Sequence, residues 1–152
     1  MNLTRKVLAS VAALAASFAA VQVITEAPSQ AAVSCSGTVT YRKAVPASNP
    51  VMELVIYYNS TNGGTNSACV NHLGAAYGKP APTWVHISRC AQTSGKGNAC
   101  AITEASTTDD GVYSYYAGPR GVTGTANNCV SASGGILWNN QSYSIVSGTQ
   151  GC

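Results

Sequence analysis

The 152-residue chain predicts an all-β fold, a single small antiparallel β-sandwich or barrel stapled by disulfides. Three observations carry that expectation. Apolar and polar residues alternate with a period of two along most of the chain after residue 32. Runs of Gly, Asn and Pro separate the alternating stretches at short intervals, as turns do. Six cysteines stand where a larger aliphatic core would otherwise be needed.

Residues 1–31 read as an address rather than as fold. Arg5 and Lys6 make a short basic start, Val7 to Ile24 carries no charge, and Ser29 and Ala31 place small residues where a signal peptidase cuts. Cleavage after Ala31 leaves residues 32–152 as the secreted domain. A membrane anchor is the competing reading, because the apolar run approaches bilayer length. The many alanines in that run, and the cleavage site just beyond it, favour a signal peptide with no stable anchor after processing.

The 121 remaining residues hold six basic side chains (Arg42, Lys43, Lys79, Arg89, Lys96, Arg120) and four acidic ones (Glu53, Glu104, Asp109, Asp110). A net charge of +2 is too small for a nucleic-acid or membrane-surface footprint. Ser, Thr, Asn and Gly supply 51 of the 121, so the core is thin and covalent staples must support it.

The strands follow in order. Thr38–Val45 alternates, with Val39, Tyr41 and Val45 on one side and Thr38, Thr40 and Arg42 on the other. Val51–Tyr58 is the longest apolar run, interrupted only by Glu53, and reads as a central strand. Asn59–Asn66 is turn chemistry, and Ala68–Leu73 returns as the next strand. Thr83–Cys90 and Ala99–Ala105 make a second hairpin. Thr107–Gly111 reads as a turn into Val112–Ala117, and Gly118-Pro119 reads as a break. Asn128–Ala132 and Ser142–Val146 complete about eight strands. No eleven-residue window of the mature chain keeps an amphipathic helical face.

Cys35, Cys69, Cys90, Cys100, Cys129 and Cys152 all lie in the exported part, where the compartment is oxidising. Six cysteines allow 15 pairings, which spacing ranks without closing. A turn-rich loop separates Cys90 from Cys100, so a hairpin disulfide is natural there, with Cys35–Cys69 and Cys129–Cys152 closing the two ends. Zinc would need ligands in close pairs. No two cysteines sit that close, and His72 and His86 are fourteen apart. No metal, cofactor or catalytic residue is expected.

Four kinds of site can be drawn from these residues. A hydrolase built from Ser133, His86 and Asp109 or Asp110 lacks the G-x-S-x-G elbow. A glycosidase would have to pair Glu53 with Glu104, and Glu53 reads more simply as an outward-facing strand residue. A protease inhibitor would present Ser88-Arg89-Cys90 or Gly118-Pro119-Arg120 on a loop. Sugar binding has more behind it, since the domain has eight Tyr and two Trp and no Phe, so that every aromatic carries a polar handle. Tyr115, Tyr116, Trp84 and Trp138 form the candidate binding surface. The adjacent pairs Tyr57-Tyr58 and Tyr115-Tyr116, if both lie on strands, must each send one ring inward and one outward.

The segment Gly111-Val-Tyr-Ser-Tyr-Tyr-Ala-Gly-Pro119 resembles a block of the spore-associated protein A family, small secreted proteins of filamentous actinobacteria. Leu54-Val-Ile-Tyr-Tyr-Asn59 followed by Cys69-Val70, and Cys129-Val130 followed by Gly134-Gly135 and a terminal Cys, are similar to other parts of that family. The resemblance covers most of residues 35–152. It implies a cell- or spore-surface location and brings no catalytic residue. Cys90 and Cys100 depart from the family pattern as an extra pair, which supports joining them to each other. The function these readings imply is that of a non-enzymatic secreted protein of the cell envelope or spore surface. It would adhere through a Tyr-rich face to wall polymer or coat proteins. A protease inhibitor, a carbohydrate-binding module and a small hydrolase are the alternatives.

Overall fold

The computed structural model describes residues 33–152, so the signal peptide assigned to residues 1–31 lies outside the described residues. Nine strands follow one another: β1 (Thr38–Val45), β2 (Met52–Asn59), β3 (Thr65–His72), β4 (Ala81–Cys90), β5 (Ile102–Ala105), β6 (Asp109–Tyr113), β7 (Tyr116–Thr123), β8 (Val130–Trp138) and β9 (Gln141–Val146). They form two antiparallel sheets. One has the order β1-β2-β3-β7 and the other β5-β4-β8-β9, with β6 also paired to β4. No helix among the described residues is long and apolar enough to cross a membrane.

Alternation puts Met52, Leu54 and Ile56 of β2 on one face, level with His72, Val70 and Ala68 of β3. Across the sandwich they join Val85 and Ile87 of β4, Ala132 and Ile136 of β8 and Ile145 of β9 in one buried cluster. Gly134 lets the layers close here. A Cβ on it would stand 2.3 Å from Val70 Cγ2 of the opposite sheet, well inside van der Waals contact. On the outer face of the first sheet Val55 is fully buried too, because it lies level with Cys69, which is bonded to Cys35. Val33 lies over Gly121, so that a Cβ there would meet the valine at 2.7 Å.

The predicted disulfides all form: Cys35–Cys69, Cys90–Cys100 and Cys129–Cys152. Most strands fall where the alternation places them. An irregularity in β1, however, puts Val39 and Tyr41, read as one side, on opposite faces, with Val39 exposed and Tyr41 against the core. Three further local readings are corrected. Asp109 and Asp110 do not lie in a turn. They open β6, which takes the stretch of the β4 edge from Ala81 to Val85, while β5 takes Ser88–Cys90 of the same edge. Gly118-Pro119 does not end its strand. β7 runs on to Thr123 as an edge strand, with an irregularity in register opposite Cys69, a place where a missing N–H is tolerated. β8 does not stop at Ala132 but continues through Gly134 and Gly135 to Trp138.

Part of the interior is polar. Thr65, Asn66, Ser67, Thr125, Ser147, Thr149 and Gln150 are all buried. Asn66 Nδ2 donates to Thr125 Oγ1 at 2.8 Å, Ser147 Oγ accepts from Ala132 N at 3.0 Å, and Gln150 Nε2 donates to Ser147 O at 2.8 Å.

His72 is a second polar link, this one between the sheets. Its Nε2 meets Thr83 Oγ1 of β4 at 2.7 Å and its Nδ1 meets Ala76 O at 3.3 Å. Burial holds its pKa below the ordinary value, against the opposing effect of carbonyls at Ala76, Lys79 and Ser114. The folded state therefore keeps His72 neutral at pH values where the unfolded chain binds a proton. Stability is complete above the unfolded value of about 6.5 and falls as pH drops below it, by up to about 1.4 kcal/mol per pH unit. Denaturant midpoints measured from about pH 7 to about pH 5 should decline in the wild type. His72→Gln should flatten that decline whatever its own stability, and an unchanged slope in the variant would exclude His72 as the source.

Candidate functional site

The connection from β6 to β7 is only Ser114-Tyr115, too short to move independently of its strands. It is laced to the end of β3 and to the β3–β4 connection by two backbone hydrogen bonds, His72 N to Tyr115 O at 2.7 Å and Gly78 N to Ser114 O at 2.8 Å. Both phenols of the Tyr115-Tyr116 pair are exposed, contrary to the expectation that one would be core. The physical reason is that Tyr115 sits in the turn rather than on a strand, so alternation does not apply to it. Tyr77 comes from the other connection and meets Tyr115 edge to face, with ring centroids 5.2 Å apart and planes at 71°. Beside them lies an open cleft of about 310 Å³ lined by Tyr113, Ser114, Tyr115, Tyr116 and Gly118.

Asp109 organises this corner. Its Oδ1 accepts from Tyr113 OH at 2.9 Å and from Arg120 Nη2 at 3.2 Å, and its Oδ2 accepts from Gly118 N at 2.6 Å. Burial alone would raise the Asp109 pKa, but the Gly118 N–H, the Tyr113 hydroxyl and the Arg120 charge together hold it below the ordinary carboxylate value. The same hydrogen bond raises the Tyr113 phenol. One carboxylate thus ties β6 to β7 at both Gly118 and Arg120.

Trp84 and Trp138 are not part of this group. Trp84 is half-buried on the outer face of β4, with Gly135 of β8 beside its indole edge, and its ring runs nearly parallel to His86, at 18° and 6.0 Å. Trp138 ends β8 and packs against the core. Tyr77, which packs against Tyr115 beside the cleft, carries no signal in the sequence. It is a lone aromatic in a turn-rich segment, and only the tertiary fold brings it to Tyr115.

The residues that could carry chemistry separate as well. Ser133 Oγ lies 3.3 Å from His86 Nδ1 and 3.2 Å from Nε2. A hydroxyl in line with the lone pair of one ring nitrogen stands far from the other, so near-equal distances mean that neither nitrogen is aimed as a general base. Asp109 is bound to Arg120, and among the described residues no carboxylate hydrogen-bonds to the His86 imidazole. Glu53 pairs with Arg42 at 3.4 Å and accepts from Asn71, whereas Glu104 pairs with Arg89 at 3.2 Å on the other sheet. The two basic segments expected as inhibitor loops are strands. Arg89 lies in β4, where it also donates to Thr123 O at 2.9 Å, and Arg120 lies in β7 against Asp109.

The chain was compared with protein-family models, curated proteins and solved structures, and none matches it.

Proposed function

We propose that the domain is a secreted, non-catalytic adhesion protein of the cell envelope or spore surface, and that the corner formed by Tyr77, Tyr115 and Tyr116 receives a wall polysaccharide. The observation that carries this reading is an exposed tyrosine cluster fixed by backbone hydrogen bonds beside an open cleft. Rigid phenols offer a flat apolar face and a polar tip at little cost in side-chain entropy. The sparse charge suits contacts that depend on stacking and hydrogen bonds rather than on salt. Three disulfides support export to an oxidising compartment. The resemblance of the Gly111–Pro119 block to the spore-associated protein A family motivates the surface location.

The test is sedimentation of the disulfide-intact domain with chitin, peptidoglycan and spore-wall material. Retention on at least one polymer is expected. Tyr115→Ala/Tyr116→Ala should weaken it about tenfold or more, equivalent to about 1.4 kcal/mol, while Trp84→Ala leaves it unchanged. Dependence on Trp84 instead would move the site to the outer face of β4. Retention unchanged in the double variant would remove the tyrosine corner from the proposal.

A further inference from the structure

Of the eight tyrosines, all within the described residues, only Tyr77, Tyr115 and Tyr116 are exposed. The others are sheltered or occupied. Tyr113 donates to Asp109 and Tyr143 to Gln141, Tyr41 packs against the core, and Tyr57 and Tyr58 are half-buried on β2. Among the described residues one pair of tyrosine rings is in contact, and it consists of two of the exposed phenols, Tyr77 and Tyr115.

We propose that Tyr77 and Tyr115 form a site of oxidative phenol coupling, in which a carbon–carbon bond joins the two rings within one molecule. Four features of the corner fit that chemistry. A centroid separation of 5.2 Å brings the ring edges into contact. Tyr115 Cε1, a carbon ortho to the hydroxyl and thus a coupling position, faces the Tyr77-Gly78 segment, since a Cβ on Gly78 would stand 3.7 Å from it. Backbone hydrogen bonds hold the two connections together, so the rings need only turn about their side-chain bonds to align. No cysteine among the described residues is free to intercept a phenoxyl radical.

The reaction needs an oxidant from outside the chain, a haem peroxidase using hydrogen peroxide. Each phenol gives up one electron and one proton. The two radicals join at ortho carbons, and the hydrogens on those carbons then shift to the oxygens and restore both phenols. The protein loses two hydrogen atoms in all, and one peroxide is reduced to two waters. The product would tie the β3–β4 connection to the β6–β7 connection, a corner that none of the three disulfides reaches.

The experiment treats the disulfide-intact domain with horseradish peroxidase and limiting hydrogen peroxide. The expected result is a monomer lighter by two hydrogens, with bityrosine fluorescence and, after reduction and proteolysis, one cross-linked species carrying Tyr77 and Tyr115. Tyr77→Phe and Tyr115→Phe should each abolish the monomeric product, and Tyr116→Phe should retain it. Circular dichroism of each variant shows that the fold is intact. No bityrosine, bityrosine only in dimers, or a monomeric product that survives Tyr77→Phe would each overturn the proposal. The reaction requires no bound polysaccharide, so its failure and the failure of the adhesion reading are separate results.

Discussion

Reduction of all three disulfides is expected to unfold the domain outright. Cys35–Cys69 spans 34 residues, Cys129–Cys152 spans 23 and Cys90–Cys100 spans 10. By loop length these cross-links restrict the unfolded chain by roughly 4, 3 and 3 kcal/mol. Together they match the whole net stability of an ordinary domain, about 5–15 kcal/mol. The interior has little to put in their place, since among the described residues its largest fully buried side chains are Met52, Leu54, three Ile and the His72 imidazole, with no Tyr or Trp fully buried. Urea denaturation of paired Cys→Ala variants should rank the losses in the same order, with Cys35→Ala/Cys69→Ala the most costly. A reduced domain that still unfolds cooperatively near the oxidised midpoint would show that the core alone holds the fold.

Asp109→Ala is expected to be the most damaging single substitution away from the cysteines. It leaves the Tyr113 hydroxyl, the Gly118 N–H and the Arg120 guanidinium without their acceptor. Each of the groups left buried costs about 1–3 kcal/mol, reduced for the partly exposed arginine. A loss of about 3 kcal/mol and a fall in melting temperature of roughly 10 °C should follow. The neighbouring Asp110, exposed on β6, supplies the control, because Asp110→Asn should change stability by less than about 0.5 kcal/mol. The effect of pH has a definite sign. A carboxyl held below its unfolded value contributes above that value, about 3.9, and loses its contribution as pH falls through the folded one. The gap between wild type and Asp109→Ala should therefore narrow in strong acid. Equal effects at positions 109 and 110 would refute the assignment.

Asp109 also shows where sequence reading stops. The strands of the first sheet are legible because Tyr41, Leu54, Ile56 and Val70 alternate with polar or outward neighbours. The Cys90–Cys100 disulfide is legible because a short turn-rich loop brings its ends together, and the other two then follow as closures of the two ends of the domain. Asp109-Asp110-Gly111 has turn composition, and only the vacant edge of β4 beside Ala81–Val85 makes it a strand. Gly118-Pro119 has the composition of a break, and only its place on an edge strand lets β7 continue. The candidate site was half visible. Tyr115 and Tyr116 stand out as an adjacent pair, but the partner that shapes the corner, Tyr77, comes from 38 residues earlier in the chain. Trp84 and Trp138 share composition with that site but not position.

The buried hydroxyls and amides around Asn66, Thr125, Ser147 and Gln150 bear on how the protein responds to temperature. Heat capacity rises on unfolding because apolar surface becomes wet, and exposure of polar surface offsets that rise. A domain with this much polar interior releases less apolar surface per residue, so its heat-capacity increment should fall below the usual 12–15 cal/mol/K per residue or so. Its stability curve is correspondingly shallow. The main support comes from cross-links that restrict the unfolded chain, and their contribution changes little on cooling, whereas hydrophobic burial weakens. A protein built this way stays folded across a broad span of temperatures without being especially stable at any one of them.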